Sequence, residues 1–192
     1  MATIHRVKYL VVHSSATKPS VYVDAAVIRR WHTTPKPKGR GWSDIGYHVV
    51  IKRDGTLEYG RSLSKVGAHV KGYNRVSLGI CMAGGLNEET GKPENNYTEE
   101  QFDALHTILT SLKNMYPEAE VVGHRDLSPD LDGDGVVESH EWLKQCPCFP
   151  AIEWWAPYEN VEGRSVVKKT KAKAETKPKK AKNSMWDDND GW

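Results

Sequence analysis

The sequence predicts a single α/β domain in which a central mixed β-sheet is flanked by helices, followed by a disordered basic C-terminal tail. Short apolar segments with strand character alternate with segments of helical periodicity. An Asp-Gly dipeptide between two apolar segments predicts a hairpin, and therefore an antiparallel pair within the sheet. A lysine-rich run beyond residue 163 has too few apolar side chains to offset chain entropy. We therefore assign residues 1–160 to the domain and residues 161–192 to the tail.

The first elements are a strand and a short helix. Residues 7–13 form an apolar segment that predicts a buried strand, with His13 at its end. Asp24 is placed to cap a helix whose apolar side chains share one face. The Pro- and Gly-rich segment 33–42 then ends the helix. Because this loop lacks core-forming residues, we expect it to border a site.

A hairpin and a further strand follow. Residues 45–52 and 56–60 flank the Asp54-Gly55 turn, and residues 77–82 predict the next strand. Thr98 forms a capping box with Gln101, and the apolar residues after it recur at helical spacing.

Two more segments complete the predicted domain. Residues 119–123 predict a strand that delivers His124, and residues 149–155 predict a final aromatic-rich helical segment.

Charge and cysteine content restrict the class of protein. The formal net charge is +2, but residues 164–182 hold eight lysines and one arginine against Glu175, so the domain itself is mildly acidic. The longest apolar run near the N-terminus, residues 9–12, is too short for a signal peptide or a membrane span. Three cysteines do not suffice for a disulfide framework. We expect synthesis in a reducing cytosol.

Three metal-competent side chains lie at the ends of predicted elements. His13 ends one apolar strand, His124 ends another, and Cys146 follows in a Gln-Cys-Pro sequence. Element ends are where binding sites are commonly built. These three side chains are therefore candidates for a metal site.

These residues fall within a series of motifs that resembles the zinc N-acetylmuramoyl-L-alanine amidases of the type 2 amidase and peptidoglycan-recognition fold, especially the small lysozyme-amidases (endolysins) of tailed bacteriophages. The resemblance runs from about residue 9 to residue 155. The motifs are residues 12–20, 46–56, 66–74, 123–126 and 143–147.

The resemblance implies a peptidoglycan hydrolase that cleaves the amide bond between N-acetylmuramic acid and L-alanine. It implies that His13, His124 and Cys146 bind Zn2+, that Tyr47 and Lys144 are catalytic, and that His69 contacts the muramyl or peptide part of the substrate. Lys144 is placed to stabilise negative charge on the carbonyl oxygen. Tyr47 could orient the water, stabilise the oxyanion or relay a proton.

An acidic segment between the second and third zinc ligands departs from that pattern. Residues 130–141 match the twelve-position calcium loop of EF-hands, with acids at positions 1, 3, 5 and 12 and glycine at position 6. We therefore predict a Ca2+ site, against the alternative of a solvated acidic loop. The predicted ligands are Asp130, Asp132, Asp134, Val136 through its carbonyl oxygen, and Glu141.

Two other functions remain open at this stage. The chain could be a non-catalytic peptidoglycan-binding module, although such members of the fold typically lose the zinc thiolate and this chain retains Cys146. It could also bind and restrain a phage RNA polymerase in addition to cleaving peptidoglycan.

The expected partners follow from the same reasoning. We expect a monomer that binds bacterial peptidoglycan, has no specific nucleic-acid partner and waits in the host cytoplasm before lysis. The lysine-rich tail could contact anionic polymers of the cell envelope, bind nucleic acid nonspecifically or act only as a solubilising linker, and we favour envelope contact.

Overall fold

The structure is a computed structural model that describes residues 2–159. The predictions for residues 161–192, namely disorder and envelope contact, lie outside the described residues. Within residues 2–159 no helix is long and apolar enough to cross a membrane.

The described chain alternates strands and helices as predicted. The strands are β1 (Tyr9–Ser14), β2 (Val49–Ile51), β3 (Leu57–Tyr59), β4 (Ser77–Met82) and β5 (Glu120–Gly123). The α-helices are α1 (Ala25–Thr33), α2 (Glu99–Met115) and α3 (Ala151–Glu159), and short 3₁₀ helices occupy Asn74–Val76 and His124–Leu127.

The strands form one sheet in the order β3-β2-β4-β1-β5. β1 pairs in parallel with β4 on one side and with β5 on the other, while β2 is parallel to β4 and antiparallel to β3. The mixed sheet and the α/β class are therefore confirmed. Because β1, β4 and β5 run the same way, their carboxyl ends meet at one edge of the sheet, where open α/β sheets commonly bind ligands.

The two faces of the sheet bury different side chains. Leu10 and Val12 of β1 point to the main hydrophobic core, where they pack with residues of α2 and α3. Successive side chains of a strand alternate between faces, so Val11 and His13 point to the opposite side. On that side Ile28 of α1 belongs to a second buried cluster, together with Tyr47 and Cys81. The helices thus flank the sheet, and the predicted zinc ligand His13 lies on the α1 side.

The predicted helix caps and hairpin turn are confirmed. The Asp24 carboxylate accepts a hydrogen bond from the Val27 N–H at 2.7 Å, and Thr98 and Gln101 form the reciprocal capping box of α2. At the hairpin Gly55 has a φ angle of +78°, and its N–H donates to the Lys52 carbonyl at 3.0 Å. These short-range signals were sufficient to locate the elements.

The strand predicted over residues 45–52 is shorter in the structure and begins at Val49. Before it, side chains bond part of the backbone, although the His48 N–H still donates to the Gly79 carbonyl of β4 at 2.9 Å. The Gly46 N–H donates to Nδ1 of His32 at 3.0 Å, and the Ile45 carbonyl accepts from Nε of Arg61 at 2.8 Å. These long-range contacts satisfy the backbone where the apolar pattern predicts a ladder.

Gln101 connects α2 to the site-bearing edge of the sheet. Its side chain is fully buried, donates to the Ala83 carbonyl at 2.9 Å and accepts from the Thr98 N–H at 3.2 Å. We expect Gln101→Ala to lower the free energy of unfolding by about 2 kcal/mol, because it leaves a buried carbonyl without its donor. Urea denaturation measures this loss. Ser111→Ala removes an exposed hydrogen bond from the same helix and should change stability by less than about 0.5 kcal/mol; similar losses in both variants would contradict the argument.

Candidate active site

Three donor side chains from different parts of the chain meet at the carboxyl edge of the sheet. His13 lies near the end of β1, and His124 directly follows β5, the strand paired in parallel with β1. Cys146 comes from the segment before α3, where its carbonyl accepts from the Arg125 N–H at 2.8 Å and its sulfur from the Ser14 N–H at 3.1 Å. One donor atom from each of the three residues lies within 4.8 Å of the other two.

The chemistry of this cluster fits a metal ion. Nδ1 of His13 faces the Cys146 sulfur at 3.8 Å, and Nδ1 of His124 is buried without a hydrogen-bond partner. A buried polar atom that lacks a partner is costly, and coordination would satisfy it. Burial lowers the pKa of His13 well below its usual value and that of His124 to about 4, so both imidazoles are neutral and retain a lone pair at physiological pH.

The thiol responds to burial in the opposite direction. Burial raises the pKa of Cys146 to about 11, although the Ser14 N–H partly counteracts this by bonding the sulfur. A bound divalent cation would favour the thiolate, because its charge opposes the desolvation penalty. The donor set of two neutral imidazoles and one thiolate therefore suits zinc.

Tyr47 and Lys144 adjoin the cluster. The Tyr47 ring centroid lies 5.2 Å from that of His13, and its phenol is buried. Burial is the main cause that raises the pKa of Tyr47 well above its usual value of 10, so the phenol is a hydrogen-bond donor rather than a base at neutral pH. Lys144 is half-buried, and its positive charge adds to the effect of burial on the pKa of His124. The structure thus brings both predicted catalytic residues to the ligand cluster.

A cleft of about 180 Å³ opens beside Tyr47. Besides Tyr47 it is lined by Ser15, Ile28, Trp31, His32 and Arg40. Arg40 belongs to the loop of residues 33–42, which therefore lines a cleft next to Tyr47. A larger cavity, lined by residues before β1 and β5, lies at the opposite edge of the sheet and is remote from the ligand cluster.

His69 lies behind His13. Its Nδ1 is 3.0 Å from Nε2 of His13, on the side of that imidazole away from Cys146. The His69 side chain has no exposed surface. The predicted contact between His69 and the substrate therefore disagrees with its position, because a fully enclosed imidazole offers no surface to a ligand in the cleft.

The N-acetylmuramoyl-L-alanine amidase family matches residues 4–147. The chain belongs to this amidase family.

Relatives agree with that assignment. The endolysin of Klebsiella phage KP32 is 42% identical over 150 residues, which cover 78% of this chain and 86% of the relative. The endolysin of Escherichia phage T7 is 41% identical over 150 residues, with the same coverage of 78% and 86%. Among solved structures, the endolysin N-acetylmuramoyl-L-alanine amidase LysCS from Clostridium intestinale is 27% identical with a TM-score of 0.60, covering 82% of this chain and 88% of that chain. The predicted family and fold are confirmed.

The other two cysteines of the amidase occupy different surroundings. The Cys148 sulfur donates to the Gly85 carbonyl at 3.2 Å and lies outside the cluster of His13, His124 and Cys146. Cys81 is fully buried and belongs to the same buried cluster as Tyr47. The sequence does not predict this proximity, since the two residues belong to separate segments of the chain.

The predicted calcium ligands of the amidase fall into two overlapping groups. Carboxylate oxygens of Asp130, Asp132 and Asp134 lie within 4.8 Å of one another, and Asp132 also belongs to a second group with Glu138, His140 and Glu141. The Asp130 carboxylate accepts from the Gly135 N–H at 2.8 Å, and Gly135 has a φ angle of +88°. The Val136 N–H donates to Asp134 at 2.8 Å, while Glu141 accepts from the Leu131 and Glu138 N–H groups.

Two buried histidines outside the ligand set make the metal-free amidase sensitive to acid. Burial lowers the pKa of His32 and of His48 to about 4. In the unfolded chain each returns to about 6.5, so below that pH the unfolded state binds protons that the folded state does not. We expect stability to fall between about pH 6.5 and pH 4, by up to about 1.4 kcal/mol per pH unit for each histidine. Denaturant titrations at several pH values measure this slope.

A matched pair of variants tests the source of the slope. His32→Asn retains an acceptor for the Gly46 N–H but does not titrate, and it should give a shallower dependence on pH. His5→Asn changes an exposed surface histidine and should leave the slope unchanged. A His32→Asn protein with the wild-type slope would exclude His32 as a contributor.

Proposed function

We propose that this amidase hydrolyses the amide bond between N-acetylmuramic acid and L-alanine in bacterial peptidoglycan, and that it requires zinc. Its membership of the N-acetylmuramoyl-L-alanine amidase family supports the reaction. The observation that carries the zinc requirement is the buried cluster of two neutral imidazoles and a thiol, in which Nδ1 of His124 has no other partner.

His13, His124 and Cys146 would hold the ion and leave a fourth position open to water or substrate. When bound, zinc supplies a Lewis acid that activates water for attack at neutral pH and polarises the amide carbonyl. In the overall reaction, the water oxygen bonds to the carbonyl carbon, the carbon–nitrogen bond breaks, and the departing amine of L-alanine takes up a proton. The products are the lactyl carboxylate of the muramic acid and a free peptide.

Lys144 stabilises the negative charge that develops on the carbonyl oxygen during attack. Its position two residues before Cys146 and its electrostatic effect on His124 support this role. Tyr47 acts as a neutral donor, because burial keeps its phenol protonated. Of the three roles open from the sequence, the raised pKa favours orientation of the water or stabilisation of the oxyanion over removal of a proton.

The cleft beside Tyr47 receives the part of the substrate next to the scissile bond. Trp31 offers an apolar surface, while Arg40 offers hydrogen-bond donors and positive charge. Sugars and peptide carboxylates of peptidoglycan match this combination of lining groups.

We expect purified protein to release new N-terminal L-alanine from peptidoglycan and to bind one zinc ion per chain. Mass spectrometry of the products, together with elemental analysis of the protein, measures both. Cys146→Ala should lose zinc and activity, whereas Cys148→Ala should retain both because its sulfur lies outside the cluster. Full zinc occupancy in Cys146→Ala would contradict the ligand assignment. A wild-type protein that binds peptidoglycan but releases no new ends would favour the non-catalytic alternative.

Lys144→Ala and Tyr47→Phe should retain zinc but lower kcat by about a hundredfold or more, since each removes a group proposed to act on the transition state. Steady-state hydrolysis of a soluble muropeptide, with metal analysis of each variant, separates catalysis from metal loss. Lys92→Ala and Tyr59→Phe make the same changes at exposed positions and serve as controls. Near-normal kcat in both site variants would remove these residues from the mechanism.

We also propose that residues 130–141 bind calcium and thereby steady the segment that carries Lys144 and Cys146. The match to the twelve-position loop and the approach of the Asp130, Asp132 and Asp134 carboxylates support this proposal. One buried oxygen of Glu138 has no hydrogen-bond partner, and partial burial and the charge of Asp134 raise the pKa of this group. A cation would reduce this repulsion.

Calorimetric titration of calcium into zinc-loaded protein tests the loop directly. We expect uptake at millimolar calcium or below and a higher melting temperature with calcium than with chelator present. The Asp130→Ala/Glu141→Ala double variant should lose both responses. If wild-type protein neither takes up calcium nor melts higher with it, the loop is only a solvated acidic insertion.

A further inference from the structure

We propose that His69 is a positioning residue that fixes the tautomer and ring orientation of the zinc ligand His13, which is a different role from contact with the substrate. This inference rests on the proposed zinc site. The two ring nitrogens of His13 face different partners. Nδ1 lies 3.8 Å from the Cys146 sulfur, and Nε2 lies 3.0 Å from Nδ1 of His69.

The hydrogen-bond directions along this chain of groups are mutually consistent. If His13 binds the metal through Nδ1, its Nε2 carries the hydrogen and donates it to Nδ1 of His69. Nε2 of His69 then carries a hydrogen directed at the Ser77 hydroxyl, 3.3 Å away. Ser77 in turn donates to the Tyr73 carbonyl at 2.8 Å. Each neutral imidazole thus offers a lone pair from Nδ1 and donates from Nε2, so this series of hydrogen bonds fixes a single tautomer for both His13 and His69.

The backbone around His69 holds this imidazole in place. The side-chain oxygen of Asn74 accepts from the His69 N–H at 2.7 Å and from the Val70 N–H at 3.0 Å. Asn74 therefore fixes the turn from which the His69 side chain extends over the sheet.

Two glycines leave the space that the imidazole fills. A Cβ at Gly79 would lie 2.6 Å from Cγ of His69, and a Cβ at Gly67 would lie 2.6 Å from its Cδ2. Any other residue at either position would displace the ring from above β4. His69 is thus enclosed by the backbone on two sides, bonded through both nitrogens and fully buried.

A buried His13 needs such a partner for its second nitrogen. Metal-ligating histidines generally donate their other N–H to an outer group, and loss of that group commonly weakens metal binding by about 10- to 100-fold. Carboxylates often fill this position, but here the acceptor is a second neutral imidazole. A neutral acceptor adds no negative charge to the site, so it orients His13 without further offsetting the positive charge of the bound ion.

The test compares two variants of nearly equal size and shape. His69→Asn keeps an oxygen acceptor where Nδ1 lies, whereas His69→Leu places a methyl group there. We expect zinc to leave the His69→Leu protein about 10- to 100-fold faster than wild type in the presence of excess chelator, and His69→Asn to remain within about threefold of wild type. The optical spectrum of the cobalt-substituted protein should shift for His69→Leu and not for His69→Asn.

Metal-free stability distinguishes positioning from general support of the fold. Denaturant titration of each apoprotein gives its free energy of unfolding. If His69 only supported the fold, both variants would lose stability and their zinc release rates would not differ from each other. Equal release from wild type and a folded His69→Leu protein would overturn the proposal. Failure of wild-type protein to bind zinc would instead overturn the proposed function, so the two failures are distinguishable.

Discussion

The parallel pairing of β1 with β4 and β5 is the constraint on which the site depends. It places the carboxyl ends of the three strands at one edge, so that His13 and His124 become neighbours although more than a hundred residues separate them in the sequence. Two backbone N–H groups hold Cys146 at this edge. The N–H of Ser14, directly after His13, donates to its sulfur, and the N–H of Arg125, directly after His124, donates to its carbonyl.

Burial at this edge has opposite effects on the different donors. It keeps the imidazoles of His13 and His124 neutral, which prepares them to coordinate a metal, but it disfavours the thiolate of Cys146. The N–H of Ser14, which bonds the sulfur, only partly counteracts that penalty. A cation in the site would stabilise the thiolate of Cys146, because the two neutral imidazoles provide no positive charge to balance it.

The sequence predicted those parts of the site that depend on strand ends and short motifs. His13 and His124 were assigned from apolar runs that end in a histidine, and Tyr47, Lys144 and Cys146 from motifs that resemble the amidase family. The role of His69 could not be read in the same way. It depends on which nitrogen of His13 faces the cluster, and that follows from the packing of residues far apart in the chain.

Element boundaries show the same division between local and long-range causes. The capping box at Thr98 and the Asp-Gly turn are local, and both were predicted correctly. The early part of the segment before Val49 is not strand, because His32 and Arg61 bond its backbone from other elements. Similarly, Tyr47 and Cys81 share a buried cluster although their sequence contexts indicate only that each is buried.

The acidic loop lies between His124 and Cys146 in the sequence, yet the structure limits how far its conformation affects them. The base of the loop is closed by the Arg125 N–H donating to the Cys146 carbonyl at 2.8 Å and by the Leu143 N–H donating to Ser128 at 3.1 Å. The guanidinium of Arg125 also lies 4.1 Å from the ring centroid of Trp142. These contacts already hold the segment after the loop near the segment after β5, so calcium in the loop would add to this order rather than create it. A change in the loop therefore reaches Lys144 and Cys146 mainly through Glu141 and the residues directly after it. The base of this highly charged loop is thus fixed by contacts that do not involve its carboxylates.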